Sequence, residues 1–394
     1  MPHFGDFQFE IYLAGMAGER PALPMTSVEL ERAAQEVMTP EAFGYVAGSA
    51  GLERTAAANL TAFDRWDIVP QMLRSVTERD LSTEVLGTVM PAPVLLAPVG
   101  VLSIAHPEAE RAVARAAASV GIPMVLSTAA STALEDVAAE LTGTTGPDGA
   151  PGQGWFQLYW PKERAVAASL VHRAEAAGFK AIVVTLDTWL LAWRPRDLAQ
   201  AYLPFLLGQG VANYFSDPAF RAGLAKPPEE DQNAAVLHWS QMFGNPGLSW
   251  TDLAWLREQT SLPILVKGVC HPDDARAALD AGVDGIVVSN HGGRQVDGAR
   301  PALACLPGVV AVCGDRPVLF DSGIRGGADI LKAVALGARA VLVGRPWVYG
   351  LALGGSDGVR HVLRCLLGEL DLTLALTGHA KIGTVGRDVL VPAE

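Results

Sequence analysis

Cysteine and charge are both scarce in this chain of 394 residues. The four cysteines are Cys270, Cys305, Cys313 and Cys365. They follow no CxxC or other metal-ligand spacing, and so few in a long chain argue against a disulfide framework. Charged residues make up 18% of the chain, against roughly 25% in an average soluble domain. The net charge is −12 with no basic block, which argues against nucleic acid or an anionic membrane surface as the main partner.

Long apolar runs are also missing. No run reaches the ~18 residues of a membrane-spanning helix, because Pro, Gly or a charged residue interrupts each one. The N-terminal sequence MPHFGDFQFE has neither a basic n-region nor an apolar h-region, so no signal peptide is visible. Together with the few cysteines, these absences predict a location in the reducing cytoplasm. Half of all residues are nonetheless hydrophobic, which allows a large core and excludes a wholly disordered protein.

Eight short apolar runs recur along the chain, each ending in small or polar residues. They are Val94–Pro98, Pro123–Thr128, Trp155–Tyr159, Ala181–Asp187, Pro263–Gly268, Gly285–Asn290, Pro317–Gly323 and Ala340–Pro346. Continuous apolar runs are typical of strands buried on both faces of a parallel sheet. Ala-rich segments with helical spacing lie between them. These are Pro107–Val120, Lys162–Ala177, Pro272–Ala281 and Gly327–Leu336.

The spacing of these runs predicts an α/β fold, a (β/α)8 TIM barrel, as a single domain over residues 1–394. Six of the seven strand-to-strand steps are 22 to 32 residues long, which is one βα unit each. The length alone suggests two or three domains of roughly 150 residues, but one α/β barrel can exceed ~250. A doubly wound open sheet is the alternative, and the absence of GxGxxG after the first strand argues against it.

Two segments depart from the repeat. Residues 1–90 form a preface with helical patches, including Ser27–Glu36, which we expect to cover one end of the barrel. A long insertion, residues 188–248, follows strand 4 and precedes a helix predicted near Ser249–Glu258. Long insertions on the C-terminal side of a barrel are often active-site lids. A surface excursion or an oligomer contact is the alternative.

The active site of such a barrel forms at the C-terminal ends of its strands. Strands 7 and 8 form the usual phosphate-binding corner. Gly323 and Gly344 there allow backbone N–H groups to approach an anion, and Arg325 and Arg345 are able to neutralise it. The alternative is two ordinary βα turns with solvated arginines. A phosphorylated cofactor or substrate is the prediction that follows.

His291 follows strand 6 and is the natural acid or base, because histidine titrates near neutrality. Asp187 at the end of strand 4 is placed to hold its imidazole from across the barrel, although a lone histidine is more often structural. Lys267 at the end of strand 5 is either a Schiff-base lysine or a fixed cation. Arg194 and Arg294 are candidates to clamp a carboxylate, with a solvated loop charge as the alternative for Arg194. No HExxH or similar spacing occurs, so no metal site is expected.

Several motifs resemble the flavin-dependent 2-hydroxy acid oxidising enzymes, which include glycolate oxidase and lactate oxidase. The longest is SNHGGRQVD at 289–297, and the likeness continues through QLYWP, TLDT, LVKG, FDSGIRGGADILKA and VGRP over essentially the whole chain. Within that family, the segments GDFQFEIY, TLDTWLLAWRPRDL and NYFSDPAF and the long insertion are similar to the lactate 2-monooxygenase subgroup.

The resemblance implies FMN as cofactor and assigns site residues. The implied cofactor-binding residues are Pro98, Val99, Gly100, Ser127, Gln157, Thr185, Lys267, Ser289, Asp321, Gly323, Arg325, Gly344 and Arg345. The implied catalytic residues are His291, Asp187, Arg294, Arg194, Tyr45, Tyr159 and Lys267. His291 is then the base, and Lys267 is a cation beside the flavin rather than a Schiff-base lysine. Whether His291 removes the α-hydrogen or the hydroxyl proton stays open.

The reaction implied by the resemblance converts a short L-2-hydroxy acid, such as L-lactate, and O₂ to the 2-oxo acid and hydrogen peroxide. In the monooxygenase subgroup the retained oxo acid is decarboxylated by peroxide, so lactate gives acetate, CO₂ and water. An oxidase that releases peroxide is the alternative, and a non-catalytic flavin-binding barrel is a further one. The family tendency is a homo-oligomer, a tetramer or an octamer.

Two small residues bear on the substrate and on the product. Gly100 replaces the alanine common in the simple oxidases and matches the monooxygenase pattern. Ala129 stands where glycolate oxidases carry tryptophan, which leaves room for a substrate side chain larger than hydrogen. Ala129 also differs from the larger aliphatic residue expected in the monooxygenase, so strict lactate specificity does not follow. Tyr202 in the insertion is a further candidate to face the substrate.

Overall fold

The computed structural model describes residues 3–393, and eight parallel strands in it close into a barrel. In chain order, barrel strands 1 to 8 are Val94–Leu96, Met124–Ser127, Gly154–Leu158, Ile182–Thr185, Ile264–Val269, Gly285–Val288, Val318–Asp321 and Ala340–Val343. Each strand pairs with its neighbours in sequence, and strand 8 closes on strand 1 with Val341 opposite Val94. The predicted barrel is confirmed, with every strand inside its predicted run or within one residue of it.

The barrel strands are apolar on both faces because each face has its own core. The inward residues, among them Leu95, Trp155 and Leu319, form one fully buried cluster inside the barrel. The alternate residues, among them Leu96 and Phe156, belong to the larger cluster under the helices. A half-exposed sheet would show polar residues at every second position, and these strands show almost none.

A helix follows each barrel strand and packs on the outside. These helices are Ala109–Val120, Leu134–Gly143, Arg164–Ala176, Asp252–Glu258, Pro272–Asp280, Ala302–Cys313, Gly327–Ala335 and Arg345–Leu376. His271 caps the fifth, its Nδ1 accepting a hydrogen bond from the Asp273 amide at 3.1 Å, as its place before Pro272 suggests. The last helix is interrupted at Gly354 and Gly355, where the backbone leaves helical geometry.

The preface covers both ends of the barrel, so the expectation that it covers one end is wrong. Its helices are Phe7–Met16, Ser27–Val37, Pro40–Ala47 and Arg54–Thr61. The hairpin Thr83–Val85 and Thr88–Met90 closes the N-terminal end, where the Trp155 indole donates a hydrogen bond of 3.0 Å to Thr88 Oγ1. At the C-terminal end, the Arg345 guanidinium donates to the backbone oxygens of Val46 and Gly48. The strand Trp66–Ile68 pairs antiparallel with Leu390–Pro392.

The insertion folds into short helices over the C-terminal end of the barrel. They are Pro195–Ala199, Ala212–Phe215, Pro218–Ala222 and Gln232–Met242, with a 3-10 turn at Pro204–Leu207. Their packing depends on an aromatic cluster, in which Trp239 lies 5.0 Å from Phe205 and 4.8 Å from Phe243 between ring centroids. This cluster places Phe205 and Phe243 against the strand ends. Among residues 3–393, no helix combines the length and the apolar character needed to cross a membrane.

Candidate active site

A cavity opens at the C-terminal ends of the barrel strands, and we refer to it as the reaction cavity. Residues from the strand ends, the preface and the insertion line it. From the strand ends come Pro98, Val99, Gly100, Ser127, Ala129, Tyr159, Lys267, His291, Arg294, Asp321, Gly323, Arg325, Gly344 and Arg345. The preface contributes Tyr45, and the insertion contributes Leu191, Arg194, Phe205 and Phe243. Most of the predicted site residues therefore meet in one place.

His291 and Asp187 form a hydrogen-bonded pair across the barrel. The His291 Nδ1 lies 2.7 Å from Asp187 Oδ1, and Thr188 Oγ1 donates to the same carboxylate oxygen at 2.9 Å. The His291 backbone is in the left-handed region at φ 58°, and its amide donates to Ser289 Oγ at 3.0 Å. Asn290 fixes the turn further by accepting the Gly293 amide at 3.1 Å. The geometry confirms the predicted proximity of the two side chains.

The electrostatics of this pair favour a neutral imidazole beside an ionised carboxylate. Burial lowers the pKa of His291 below its usual range, and this outweighs the opposite effect of Asp187. Burial raises the pKa of Asp187, but the lowering by the His291 ring and the Lys267 charge is larger. The pKa of Asp187 is therefore below its usual value. An ionised Asp187 accepts a hydrogen bond from the Nδ1–H group, which leaves the Nε2 lone pair available. His291 is therefore placed to accept a proton at Nε2.

Lys267 is a fixed cation. Its ammonium lies 3.0 Å from Asp321 Oδ2 and donates to Ser289 Oγ at 3.1 Å, and Ser289 Oγ donates in turn to Asp321 Oδ2 at 2.7 Å. Burial lowers the pKa of Lys267, but the carboxylates of Asp321 and Asp187 raise it well above its usual value. A protonated amine is not a nucleophile, so this ion pair favours the fixed cation over the Schiff-base lysine.

The buried Arg194 and the half-buried Arg294 give the cavity an anion-binding wall. Arg194 is 5% exposed, and its nearest carboxylate, Asp197, is 4.0 Å away. The Arg294 guanidinium lies 5.2 Å from the Tyr45 ring centroid and donates to the Tyr45 and Gly48 carbonyls. Burial and the nearby Arg194 charge lower the pKa of Arg294 to about 9. Two cations with so little negative charge beside them favour a bound carboxylate.

Tyr45 and Tyr159 line the same cavity, and both keep their hydroxyl protons. Burial raises the pKa of Tyr159 to about 12 and raises the pKa of Tyr45 as well. Both hydroxyls therefore stay protonated at neutral pH and are available as hydrogen-bond donors. A phenol that donates is suited to the hydroxyl or carboxylate oxygens of a small acid.

A ladder of hydrogen bonds runs behind the cavity wall from strand 2 to strand 4. Ser127 Oγ donates to Gln157 Oε1 at 3.1 Å, and Gln157 Nε2 donates to Thr185 Oγ1 at 2.9 Å. Only Ser127 of these lines the reaction cavity. Gln157 and Ser289 are fully buried behind it, and Thr185 and Asp187 face a neighbouring cavity. These four residues support the wall, and the structure does not place them on its surface.

The loop after strand 7 has the features of a phosphate site. The amide N–H groups of Gly323 and Ile324 have no acceptor within residues 3–393, and both residues line the cavity beside Arg325. Gly323 has φ 105°, and a Cβ there would lie 2.5 Å from the Asn59 carbonyl oxygen. Arg345 lines the same corner, but its guanidinium donates to the preface and to the Gly292 carbonyl at 3.0 Å. The free amides and the buried cation Lys267 fit a phosphorylated flavin.

Sequence reasoning missed several contributors and misplaced one. Phe205, Phe243 and Leu191 line the cavity, but aromatic and aliphatic residues in an insertion carry no signal that separates core from site. Thr188 is the last residue of the TLDT motif, but the motif does not show that its hydroxyl contacts both Asp187 and His291. Tyr202 does not line the cavity, and its hydroxyl donates to Gln209 at 3.2 Å instead.

A closed barrel with an anion corner, a buried lysine ion pair and a His–Asp pair is compatible with a flavin-binding oxidoreductase. The comparison with protein families makes this specific. The model of the family described as FMN-dependent dehydrogenase matches residues 34–392, and the chain belongs to this family. FMN is the cofactor, and when bound it supplies the acceptor for two electrons.

Similar proteins span nearly the whole chain. An FMN-dependent alpha-hydroxy acid dehydrogenase of Schizosaccharomyces pombe is 44% identical and is aligned over 98% of this chain and 96% of its own length. An L-lactate oxidase of Lysinibacillus sphaericus is 42% identical over 95% and 94% of the two chains. The solved structure of a soluble mutant of the membrane-associated (S)-mandelate dehydrogenase of Pseudomonas putida is 35% identical with a TM-score of 0.82, and 94% and 99% of the chains are covered. The protein is therefore an oxidoreductase that acts on 2-hydroxy acids.

Proposed function

We propose that the protein oxidises L-lactate, or a similar short L-2-hydroxy acid, with O₂ and decarboxylates the retained 2-oxo acid with the peroxide formed. The net reaction for lactate is lactate and O₂ to acetate, CO₂ and water. The reaction balances without a further reductant, because the hydroxy acid supplies all four electrons. Two reduce O₂ to peroxide when the 2-oxo acid forms, and two reduce the peroxide when the 2-oxo acid is decarboxylated. The proposal separates into an oxidation at the strand ends and a retention step that the insertion provides.

The oxidation follows from the arrangement of the polar side chains. Arg294 and Tyr45 hold the substrate carboxylate. Arg194 and the Tyr159 phenol support its hydroxyl end. His291 Nε2 accepts the proton, from either the hydroxyl or the α-carbon, and Asp187 stabilises the imidazolium that results. Lys267 supplies positive charge beside the cofactor. Proton transfer to a positioned base of this kind contributes roughly 10²–10⁴-fold to a rate.

The retention step is supported by the aromatic side chains that cover the reaction cavity. We refer to Phe205 and Phe243 as the roof of this cavity. Phe205 is 7% exposed and stacks on the insertion's own aromatic cluster, with Phe243 at 6.0 Å between ring centroids. Tyr45 and Tyr159 contact the same two rings edge-on at 6.3 and 5.5 Å. The residues that hold the substrate and the residues that cover it are thus one packed unit. Covering a site in this way slows product escape and excludes water.

A second candidate is an oxidase that releases the 2-oxo acid and hydrogen peroxide. The similarity to proteins named L-lactate oxidase, at 42% and 41% identity, favours it. Solved structures named mandelate oxidase, one of them 39% identical with a TM-score of 0.81, extend the candidate substrates to larger 2-hydroxy acids. Ala129, a small residue lining the cavity, leaves space for such a side chain.

Aerobic turnover of L-lactate by the FMN-loaded protein tests the proposal. Acetate, pyruvate and hydrogen peroxide are quantified together against O₂ consumed. We expect about one acetate per O₂ with little peroxide. Stoichiometric pyruvate and peroxide would establish the oxidase instead. Turnover of mandelate but not of lactate would move the substrate class to larger acids.

The proposal also includes a cytoplasmic homo-oligomer, a tetramer or an octamer. Exposed apolar side chains on the first helix, such as Tyr12 and Leu13, are compatible with an interface. Light scattering of the FMN-loaded protein distinguishes a monomer from either assembly.

A further inference from the structure

A second cavity, of about 360 Å³, lies beside the reaction cavity between barrel strands 4 and 5 and the end of the insertion. Tyr159, Trp160, Thr185, Leu186, Thr188 and Leu248 are among the residues that line it. No step of the proposed reaction uses it. Its volume far exceeds the roughly 10–15 Å³ that a cavity needs in order to hold one water molecule.

The lining of this second cavity changes from its mouth to its floor. Trp189, Ser249 and Asp274 are exposed and form the mouth. Leu253 and Val269 are 4% and 2% exposed and lie deep inside. The cavity therefore leads from solvent to a buried lining in which apolar side chains lie beside Thr185 and Thr188. Deep apolar surface of this kind favours a small uncharged molecule.

The two cavities share a wall that is one side chain thick. Tyr159 and Thr188 line both of them. Thr188 is also the residue whose hydroxyl contacts Asp187 and His291. The second cavity thus adjoins the His291–Asp187 pair, because Asp187 and Thr188 both line it.

The two cavities differ in the charge of the residues that line them. The reaction cavity contains Arg194, Arg294 and Lys267 in its wall. The second cavity contains the carboxylates Asp187 and Asp274, and no Lys or Arg among the described residues lines it. A 2-hydroxy acid anion or a 2-oxo acid anion is repelled there, whereas a neutral molecule is not.

We propose that the second cavity is the entry route for dioxygen, separate from the arginine-lined route taken by the hydroxy acid. This inference rests on the proposed reaction with O₂. A separate route allows O₂ to reach the site while the carboxylate product still occupies the reaction cavity under the insertion. That order of events is what retention of the oxo acid requires.

The test fills the cavity without touching the catalytic residues. Leu248 is half-buried in a loop and lines only the second cavity, so Leu248→Trp places an indole in the passage. Leu237→Trp is the matched control, because Leu237 lies in the insertion but is 61% exposed and lines neither cavity. Stopped-flow measurements give the rate of anaerobic flavin reduction by L-lactate and the second-order rate constant of reoxidation by O₂.

We expect Leu248→Trp to lower the reoxidation constant at least fivefold while anaerobic reduction stays within twofold of wild type. Leu237→Trp should leave both rates within twofold. Equal reoxidation in both variants would overturn the route, as would a parallel fall in both rates for Leu248→Trp. Xenon-pressurised crystals of the wild type give a second readout, and absence of xenon from this cavity would also overturn it.

The outcomes separate this inference from the proposed function. Stoichiometric release of pyruvate and peroxide contradicts the decarboxylation but leaves the route intact. A wild type whose reduced flavin does not react with O₂ contradicts both, and this is visible before any variant is compared.

Discussion

The barrel rim and the insertion share the reaction cavity but are built differently. At the rim, each functional side chain comes from a strand end and is held by hydrogen bonds, as Lys267 is held by Ser289 and Asp321. In the insertion, short helices depend on one aromatic cluster, and Leu191 and Trp193 remain 58% and 74% exposed. In the proposed function, the rim supplies the chemistry and the insertion controls what enters and leaves the reaction cavity.

This difference has a physical origin. A strand end in a closed barrel is positioned by the hydrogen bonds of two neighbours, so side chains from distant parts of the sequence meet with little freedom. Short helices, each too short to be stable alone, gain their order from packing and open at lower cost. Substitutions at the rim should therefore abolish the reaction, and substitutions in the insertion should redirect its products.

The largest expected effect comes from the base. His291→Gln removes the proton acceptor while keeping a polar side chain of similar size, so anaerobic flavin reduction by L-lactate should fall by up to about 10⁴-fold. The protein should stay yellow, because the anion corner is untouched. His172→Gln, at an exposed position, is the control and should reduce flavin at the wild-type rate. A His291→Gln variant that retains near wild-type reduction would show that the base lies elsewhere.

The next largest effect is on stability. Lys267→Met leaves the Asp321 carboxylate buried without its cation, which costs about 3–5 kcal/mol of unfolding free energy for a broken buried pair. FMN affinity should fall with it. Denaturant unfolding and flavin absorbance measure the two effects. Lys180→Met, at an exposed position, should change neither. Unchanged stability in Lys267→Met would contradict the ion pair with Asp321 as a source of stability.

The pH dependence tests the His–Asp pair. His291 must be neutral, and burial lowers its pKa, so the rate of flavin reduction should rise with pH through a value below 6.5 and then stay flat. Asp187→Asn should lower the plateau by about 10²-fold, because no carboxylate stabilises the imidazolium. Asp187 raises the pKa of His291. Removing its carboxylate should therefore move the rising part of the pH–rate profile to lower pH. A shift of this rising part to higher pH in Asp187→Asn would contradict this electrostatic account.

A smaller effect is expected at Gly100. A Cβ there would collide with the Ala129 carbonyl oxygen and would lie 2.9 Å from the Ala129 Cβ. Gly100→Ala should therefore destabilise the protein by about 1–3 kcal/mol, as overpacking does, and shift the wall of the cavity. Gly143→Ala is the control, since a Cβ there meets nothing within 4 Å. Equal unfolding free energies in the two variants would show that the loops at Gly100 and Ala129 move apart freely.

The sequence predicted most of the rim and little of the insertion. Apolar runs located all eight strands, and barrel topology then brought Asp187 and His291 together across 104 positions. The ion pair of Lys267 with Asp321 was not predicted, because spacing along the chain does not show which side chains on strands 5 and 7 face each other. Phe205 and Phe243 were not predicted either, because their positions depend on tertiary packing without a repeat.

The preface shows the same limit. Its helical patches were visible in the sequence, and Ser27–Glu36 is confirmed as the helix Ser27–Val37. The sequence did not show that the preface covers both ends of the barrel. That arrangement depends on tertiary contacts, such as the hydrogen bond of Trp155 with Thr88 at one end. Periodicity reports which face of a helix is buried but not which surface buries it.

The product partition of a roof variant tests the central claim most directly. Phe243→Ala opens the roof without changing a polar group, and Phe9→Ala, at a residue 59% exposed on the first helix, is its control. Acetate, pyruvate and peroxide are measured per O₂ consumed, with the anaerobic reduction rate as reference. The account predicts mostly acetate from the wild type and the control, and a shift to pyruvate and peroxide in Phe243→Ala with reduction within about fivefold of wild type. Identical partition in all three proteins would contradict a roof that retains the product.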